Sequence, residues 1–292
     1  MAVSPEKLGT RYEPRAATID ADRARAYAAA TNDPNPAYQS GKYAPPVFAV
    51  VPTWDAMMVA LHDVVPAADQ VAMLHAEQDM HFFQPLVPGQ LLSTWAEAYG
   101  LRSSRMGTRF TMRVVSEDTA GDVVVEQFAT MLIRGVDPVE DGGQVPPSHA
   151  LPPEAKSAKV AELASVVDVD QALRYAEASG DGNPIHVDDE AARAVGLPGV
   201  ILHGMCTMAL CGRAIVDELA GGDPTRLRRL AVRFYRPVFP GSDLVTNVYE
   251  AGDGDGRRNL AFEASSAGKV VVRDGRAELE LGPSGPLSGA AV

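Results

Sequence analysis

The chain has 292 residues, 46% of them hydrophobic and 22% charged, which fits one large globular core or two ordinary ones and excludes disordered and fibrous classes. Its 26 Lys and Arg against 38 Asp and Glu leave a formal net charge of -12, so the overall field repels nucleic acid and anionic membrane surfaces, and an anionic ligand must be met by a local basic patch. Met1 to Arg15 has no apolar run of the signal-peptide kind, and no stretch approaches the ~20 apolar residues that span a bilayer, so a soluble, cytoplasmic protein is expected.

In chain order, the first informative segment is Tyr27-Ala-Ala-Ala-Thr-Asn-Asp-Pro-Asn-Pro-Ala-Tyr38. It returns without a gap as Tyr175-Ala-Glu-Ala-Ser-Gly-Asp-Gly-Asn-Pro-Ile-His186. The block from Phe82 to Gly89 returns as Phe234 to Gly241, and Gly121 to Val125 is answered by Gly268 to Val272. Three blocks in the same order, repeated at about half the chain length, imply one architecture built twice. Between the copies, Asp137 to Lys159 is rich in glycine, proline and serine and reads as turns and extended chain. The predicted organisation is an N-terminal copy over 1–140, a linker over 141–159 and a C-terminal copy over 160–292.

Within the C-terminal copy, Asp168 with Gln171 three residues on predicts a capped helix start, with helical spacing up to Ser179. Asn183-Pro184 suits a second cap, followed by a short helix through Ala191 to Val195 that ends at Gly196. Val200 to Leu219, nearly uncharged over its first dozen residues, predicts a helix buried on almost every side. Cys206 and Cys211 lie in it on different faces, so two buried free thiols are expected rather than a disulfide or a structural zinc site. Arg229 to Phe234, Asp243 to Ala251, Asn259 to Ser265 and Lys269 to Leu281 read as antiparallel strands joined by glycine-rich turns. Wrapping such a sheet around the uncharged helix buries it most simply, so each half is predicted to be an α+β unit of that kind.

Asp181 and His186 flank a tight Gly-Asn-Pro turn that could aim a carboxylate and an imidazole at one water-sized volume. Adding water across an activated double bond needs a group to take a proton from the water and a proton source for the alpha carbon. His186 suits this by its ordinary pKa of about 6.5, with Asp181 as base or orienter. The competing reading makes Asp181 the closure of an Asx turn and His186 a packed or exposed loop residue. Gly204 stands where a loop enters the buried helix, so its amide could meet the growing charge on a thioester oxygen, unless it is a glycine required for packing. His203 beside it reads as a satisfied structural histidine rather than a second base.

Tyr175-x-x-x-Ser179-Gly180-Asp181-x-Asn183-Pro184-Ile185-His186, with Ala192 six residues on, resembles the signature of the MaoC-like (R)-specific enoyl-CoA hydratases, or hydratase 2. Pro198-Gly199-x-Ile201-x-His203-Gly204-Met205 and Phe234-x-x-Pro237-Val238-x-Pro240-Gly241 follow in that family's order. Against its two-hotdog members the resemblance covers nearly the whole chain. It implies a double hotdog fold and the reversible hydration of trans-2-enoyl-CoA to (3R)-3-hydroxyacyl-CoA by Asp181 and His186, with the Gly204 amide on the thioester oxygen.

It further implies an acyl-thioester site lined by Gly182, Asn183, Pro184, Ile185 and Phe234, with His75 and Ala76 reaching in from the N-terminal copy. That copy carries Tyr38 in place of the histidine and Val50-Val51 near the expected His-Gly, so it has lost the reaction and serves the acyl chain, with Met57, Met58, Met73 and Met80 as either lining or core. Arg105, Arg233 and Arg236, each within an arginine-rich stretch, are the candidates for the phosphates of coenzyme A, against the alternative of a solvated face. No cofactor and no metal is expected. Acyl-CoA is the expected partner, acyl carrier protein an alternative carrier, and a homodimer is optional. The other readings are a hotdog acyl-CoA thioesterase and a non-catalytic acyl-thioester-binding subunit.

Overall fold

The computed structural model describes residues 3–70, 73–136, 139–254 and 256–281. The last residues of the predicted C-terminal copy (282–292), Asp255 in the glycine-rich turn, and 137–138 at the start of the connecting stretch lie outside these.

The N-terminal copy runs β1 (Arg15–Thr18), α1 (Ala21–Ala30), α2 (Pro36–Gln39), α3 (Val50–Val64), α4 (Ala67–Gln70), β2 (Met73–Phe82), β3 (Leu91–Ser104), β4 (Gly107–Glu117) and β5 (Val123–Ile133). After a two-residue strand β6 (Gly142–Gly143), the C-terminal copy repeats the plan with β7 (Lys159–Val166), α5 (Gln171–Ser179), α6 (Asp189–Ala194), α7 (Gly204–Leu219), β8 (Leu227–Phe234), β9 (Asp243–Gly254), β10 (Arg257–Ser266) and β11 (Lys269–Glu280). This is the predicted double hotdog. All the named strands join one eleven-stranded sheet, ordered β1-β3-β4-β5-β2-β8-β11-β10-β9-β7 with β6 on β3. The two halves therefore share a sheet instead of each closing on its own.

β2 and β8 form the antiparallel seam, with Glu77 opposite Arg233 and Asp79 opposite Ala231. The spacing that aligns Phe82 with Phe234 also sets Asp79 on Ala231, so the internal twofold passes between two residues that face each other. Charges brought to this seam are paired, and Glu77, Asp79 and Arg229 among them are buried. Arg229 holds Asp79 at 2.7 Å and Glu278 at 3.2 Å, while Glu77 takes Arg109 at 2.5 Å and Arg233 at 2.8 Å.

Each copy wraps a helix. α3 packs Met57, Ala60, Leu61 and Val64 on Phe110, Met112 and Met131, and α7 buries Met205 through Gly212 without a break. Met57 and Met80 are thus core residues. Contrary to the expectation that no stretch is long and apolar enough to cross a bilayer, the helical run Pro46–Val64 has that length and hydropathy, yet it is the central helix of a folded half. Cys206 and Cys211 are free and buried as expected.

Several boundaries move for local reasons. α5 begins at Gln171 because residues 168–170 form a turn, held by the Gln171 side chain accepting from the Asp168 amide at 3.1 Å. The helix expected from Pro184 to Val195 is split. A 3-10 turn, Pro184–His186, ends there, and Asp188 captures the amides of Glu190 and Ala191 to start α6 afresh. α7 starts at Gly204, four residues later than the apolar run. β7, not among the predicted strands, has three polar residues of eight and lies largely exposed at the sheet edge. Within the predicted linker β6 lies on β3, and His149, 6% exposed, is bonded through Nδ1 to the Asp274 carbonyl at 2.6 Å.

Candidate active site

α5 delivers the site loop. Its end is fixed from the other copy, where Arg23 of α1 donates to the carbonyls of Ala178 (2.9 Å) and Ser179 (2.6 Å). Gly180 then reverses the chain at φ +81, a left-handed position that suits glycine. Asp181 follows, half-buried. Its amide donates to Ser179 Oγ (3.1 Å) and its Oδ1 accepts the Asn183 amide (3.2 Å), so the Asx turn is real. The Asn183 side chain accepts the Ile185 amide and caps the 3-10 turn that carries His186 inward. Gly182, Asn183 and Pro184 are exposed on the rim, Ile185 is half-buried and His186 is buried.

His186 Nδ1 is 2.8 Å from the Ile201 carbonyl. The proton must sit on Nδ1 to make that bond, which leaves Nε2 with a free lone pair. Beneath it, His203 stacks ring on ring at 3.8 Å and 26°, and its Nε2 donates to the Asp181 carbonyl at 2.9 Å. Burial lowers the pKa of His186, and burial followed by the neighbouring His186 takes His203 down to about 4. Both rings are neutral at physiological pH.

Donor atoms of Asp181, His186 and His203 lie within 4.8 Å of one another, a separation a metal ion could use. Lone pairs of imidazoles lie in the ring planes, however, and two stacked rings do not direct them at one ion. The set suits a water and a proton better.

Gly204 is the first residue of α7, a helix with no side-chain cap at its start. Its N–H has no acceptor among the described residues and stands at the positive end of the helix. The Phe234 ring lies over it so closely that a Cβ on Gly204 would meet ring atoms at 3.2 Å. Packing against Phe234 therefore calls for glycine here. Phe234 in turn makes an edge contact with His75, 5.1 Å between centroids, and burial pushes His75 down to about 4. A bulge in β2 leaves Ala76 without a partner on β5, between the His75–Met131 and Glu77–Thr130 pairs. Asp181, His186, Gly204, Phe234 and His75 are thus gathered from both copies.

The arginines divide. Arg233 is engaged by Glu77 and by Asp274 at 2.6 Å. Arg105 sits exposed on the β3–β4 hairpin, two strands away from β2. Arg236 is exposed, donates to the Val270 carbonyl at 3.0 Å and stacks on Tyr235 at 4.3 Å; Arg273, not among the sequence candidates, covers the same ring at 3.5 Å.

The twofold counterpart of this centre holds Asp33 and Tyr38, and a void of ≈ 20 Å³ beside them, bordered by Val47, Arg213 and Leu227, has room for about one water. Burial raises Asp33 to about 6. Here a 3-10 turn, Pro46–Ala49, runs straight into α3, and the Val50 amide is spent on the Val47 carbonyl. Both the imidazole and the open amide are missing from this copy.

A model of the MaoC like domain matches residues 150–270, and one of the FAS1-like dehydratase domain region matches 6–127. The 3-hydroxyacyl-thioester dehydratase Y of Mycobacterium tuberculosis is 32% identical over 218 residues, 72% of this chain and 74% of that one. This chain belongs to the MaoC-like dehydratase family. The enoyl-CoA hydratase ChsH3 of the same organism is also 32% identical, over 257 residues covering 80% and 82% of the two chains. A crystal structure of a MaoC-like dehydratase from Phytophthora capsici superposes with a TM-score of 0.84 at 26% identity, over 95% of this chain and 98% of that one. The MaoC match takes in the copy with the complete centre.

Proposed function

We propose that this MaoC-like protein is a hydro-lyase that adds water to trans-2-enoyl-CoA, forms the (3R)-3-hydroxyacyl thioester, and catalyses the reverse dehydration. The observation that carries this reading is that ligand atoms of Asp181, His186 and His203 lie within 4.8 Å of one another at the start of α7, where Gly204 follows His203 and its amide has no acceptor among the described residues. His186 Nε2 takes a proton from a water that Asp181 orients as the oxygen bonds to the beta carbon. The negative charge that moves onto the thioester oxygen is met by the Gly204 N–H, a donor of a kind worth roughly 3 to 4 kcal/mol in other enzymes. The proton returns to the alpha carbon, and the centre ends as it began. His75, Ala76 and Phe234 wall the thioester, and the N-terminal copy supplies wall for the acyl chain. Arg236 and Arg273 are the cations best placed for coenzyme A phosphates, and a carrier protein is the alternative carrier.

Hydrolysis is the competing chemistry, and the thiols do not support it. Both are buried, and burial pushes Cys211 up to about 11 and Cys206 further. The test is a panel of enoyl-CoA substrates followed by loss of conjugation, with the product's configuration determined, alongside a saturated acyl-CoA. Hydration with no free thiol is expected; thiol release from the saturated thioester without hydration would replace this reading by a thioesterase.

Activity should also report the protonation of His186. Its lowered pKa keeps the base form present below the ordinary value of about 6.5. We expect kcat/KM to stay level through neutral pH and to fall only on the acid side of about 6.5. A fall that began well above that value would contradict a desolvated, neutral His186 as base.

A further inference from the structure

We infer that His203 is a positioning residue that couples the two reacting side chains, holding the Asp181 backbone by a hydrogen bond and the His186 ring by stacking. The inference rests on the hydratase reading of this site. His203 is 1% exposed and precedes α7. Its Nε2–H is donated to the Asp181 carbonyl at 2.9 Å, so the loop that aims the carboxylate hangs on this ring. The same ring lies flat under His186 at 3.8 Å and is backed by Tyr175 at 4.7 Å. Tyr175 is held in turn by its twofold mate Tyr27, hydroxyl to hydroxyl, at 3.2 Å.

The ring's other nitrogen supports this assignment. Nδ1 is buried with no partner among the described residues. A protonated ring would bury a second N–H without an acceptor, so His203 stays neutral, and a neutral ring with its one proton spent on Asp181 holds a neighbour in place without competing for the water's proton. Among the described residues the other titratable groups beside the pair are Asp181 and Tyr175, and His75 across the seam interacts with Asp181. The buried ring beneath His186 also contributes to its desolvation.

Two substitutions separate the contacts. His203→Phe keeps a flat ring under His186 but loses the donor, and His203→Gln keeps a donor of similar reach but loses the ring. For His203→Phe we expect kcat for enoyl-CoA hydration to fall roughly 10- to 100-fold, the scale of losses when a group that orients a ligating side chain is removed, with KM within about threefold and the acid limb of kcat/KM unmoved. For His203→Gln the acid limb should move to higher pH, because water now reaches His186. Folded fraction is followed by circular dichroism in both. Wild-type kcat and an unmoved acid limb in both variants would overturn the inference, and so would losses that only track the folded fraction. Asp181→Asn in the same assay keeps the two readings apart. If it too turns over normally, the hydratase reading of the site fails; if it is inactive while the His203 variants are unaffected, only the positioning role fails.

Discussion

Asp181→Asn lowers kcat for hydration of a trans-2-enoyl-CoA about 10³-fold and leaves affinity for the thioester within about threefold, as expected for loss of a group that handles the water and does little for binding. Asparagine is nearly isosteric, and its Oδ1 can still accept the Asn183 amide that closes the turn. The carbonyl that His203 holds belongs to the backbone and is untouched. The variant therefore removes a charge while the loop keeps its shape. Steady-state kinetics, with binding of an unreactive saturated acyl-CoA by calorimetry, provides the check. Turnover within a few-fold of the parent would reduce Asp181 to the role of turn former.

Arg229→Met should destabilise the fold by about 3 to 5 kcal/mol, the usual result of removing one partner of a buried ion pair. Arg229 is 6% exposed and Asp79 3%, and they meet where the two copies share their sheet. Without the guanidinium, Asp79 keeps, among the described residues, only a 3.3 Å contact with His81 Nε2 that does not make a hydrogen bond, Glu278 loses one of its cations, and the Ser148 carbonyl in the connecting strap loses its donor. Replacing Asp79 as well, as Asp79→Leu with Arg229→Met, should recover much of the loss, because desolvating two ions is what the pair costs in the first place. The shift of the urea midpoint reads both effects. A single variant within 1 kcal/mol of the parent would mean that water reaches this seam.

Much of the plan was legible because it is written in local chemistry. Asp-x-Asn-Pro and Pro-x-x-Pro-Gly are turn and cap signals that act over a few residues, so their repetition exposed the doubled architecture, and Asp181, His186, Gly204 and Phe234 came out together. What stayed hidden depends on partners distant in sequence. Arg233 reads as a free cation until β2 brings Glu77 to it, and Arg273 becomes interesting only once β11 lays it on Tyr235. His203 looked like an ordinary packed histidine because nothing in its own segment says that both Asp181 and His186 will rest on it. The split of residues 184–194 was missed because Asp188 competes for the same amides that a continuous helix would use.

The β2–β8 seam joins two halves of one polypeptide, so diluting the protein cannot part them, and neither half waits for a collision to complete its sheet. In a pair of identical subunits, every substitution is made twice, and a change that harms one centre harms both. Here Tyr38 and the spent amide of Val50 could arise in one half while His186 and Gly204 persisted in the other. Fusion thereby allows one half to specialise as support while the other keeps the reaction.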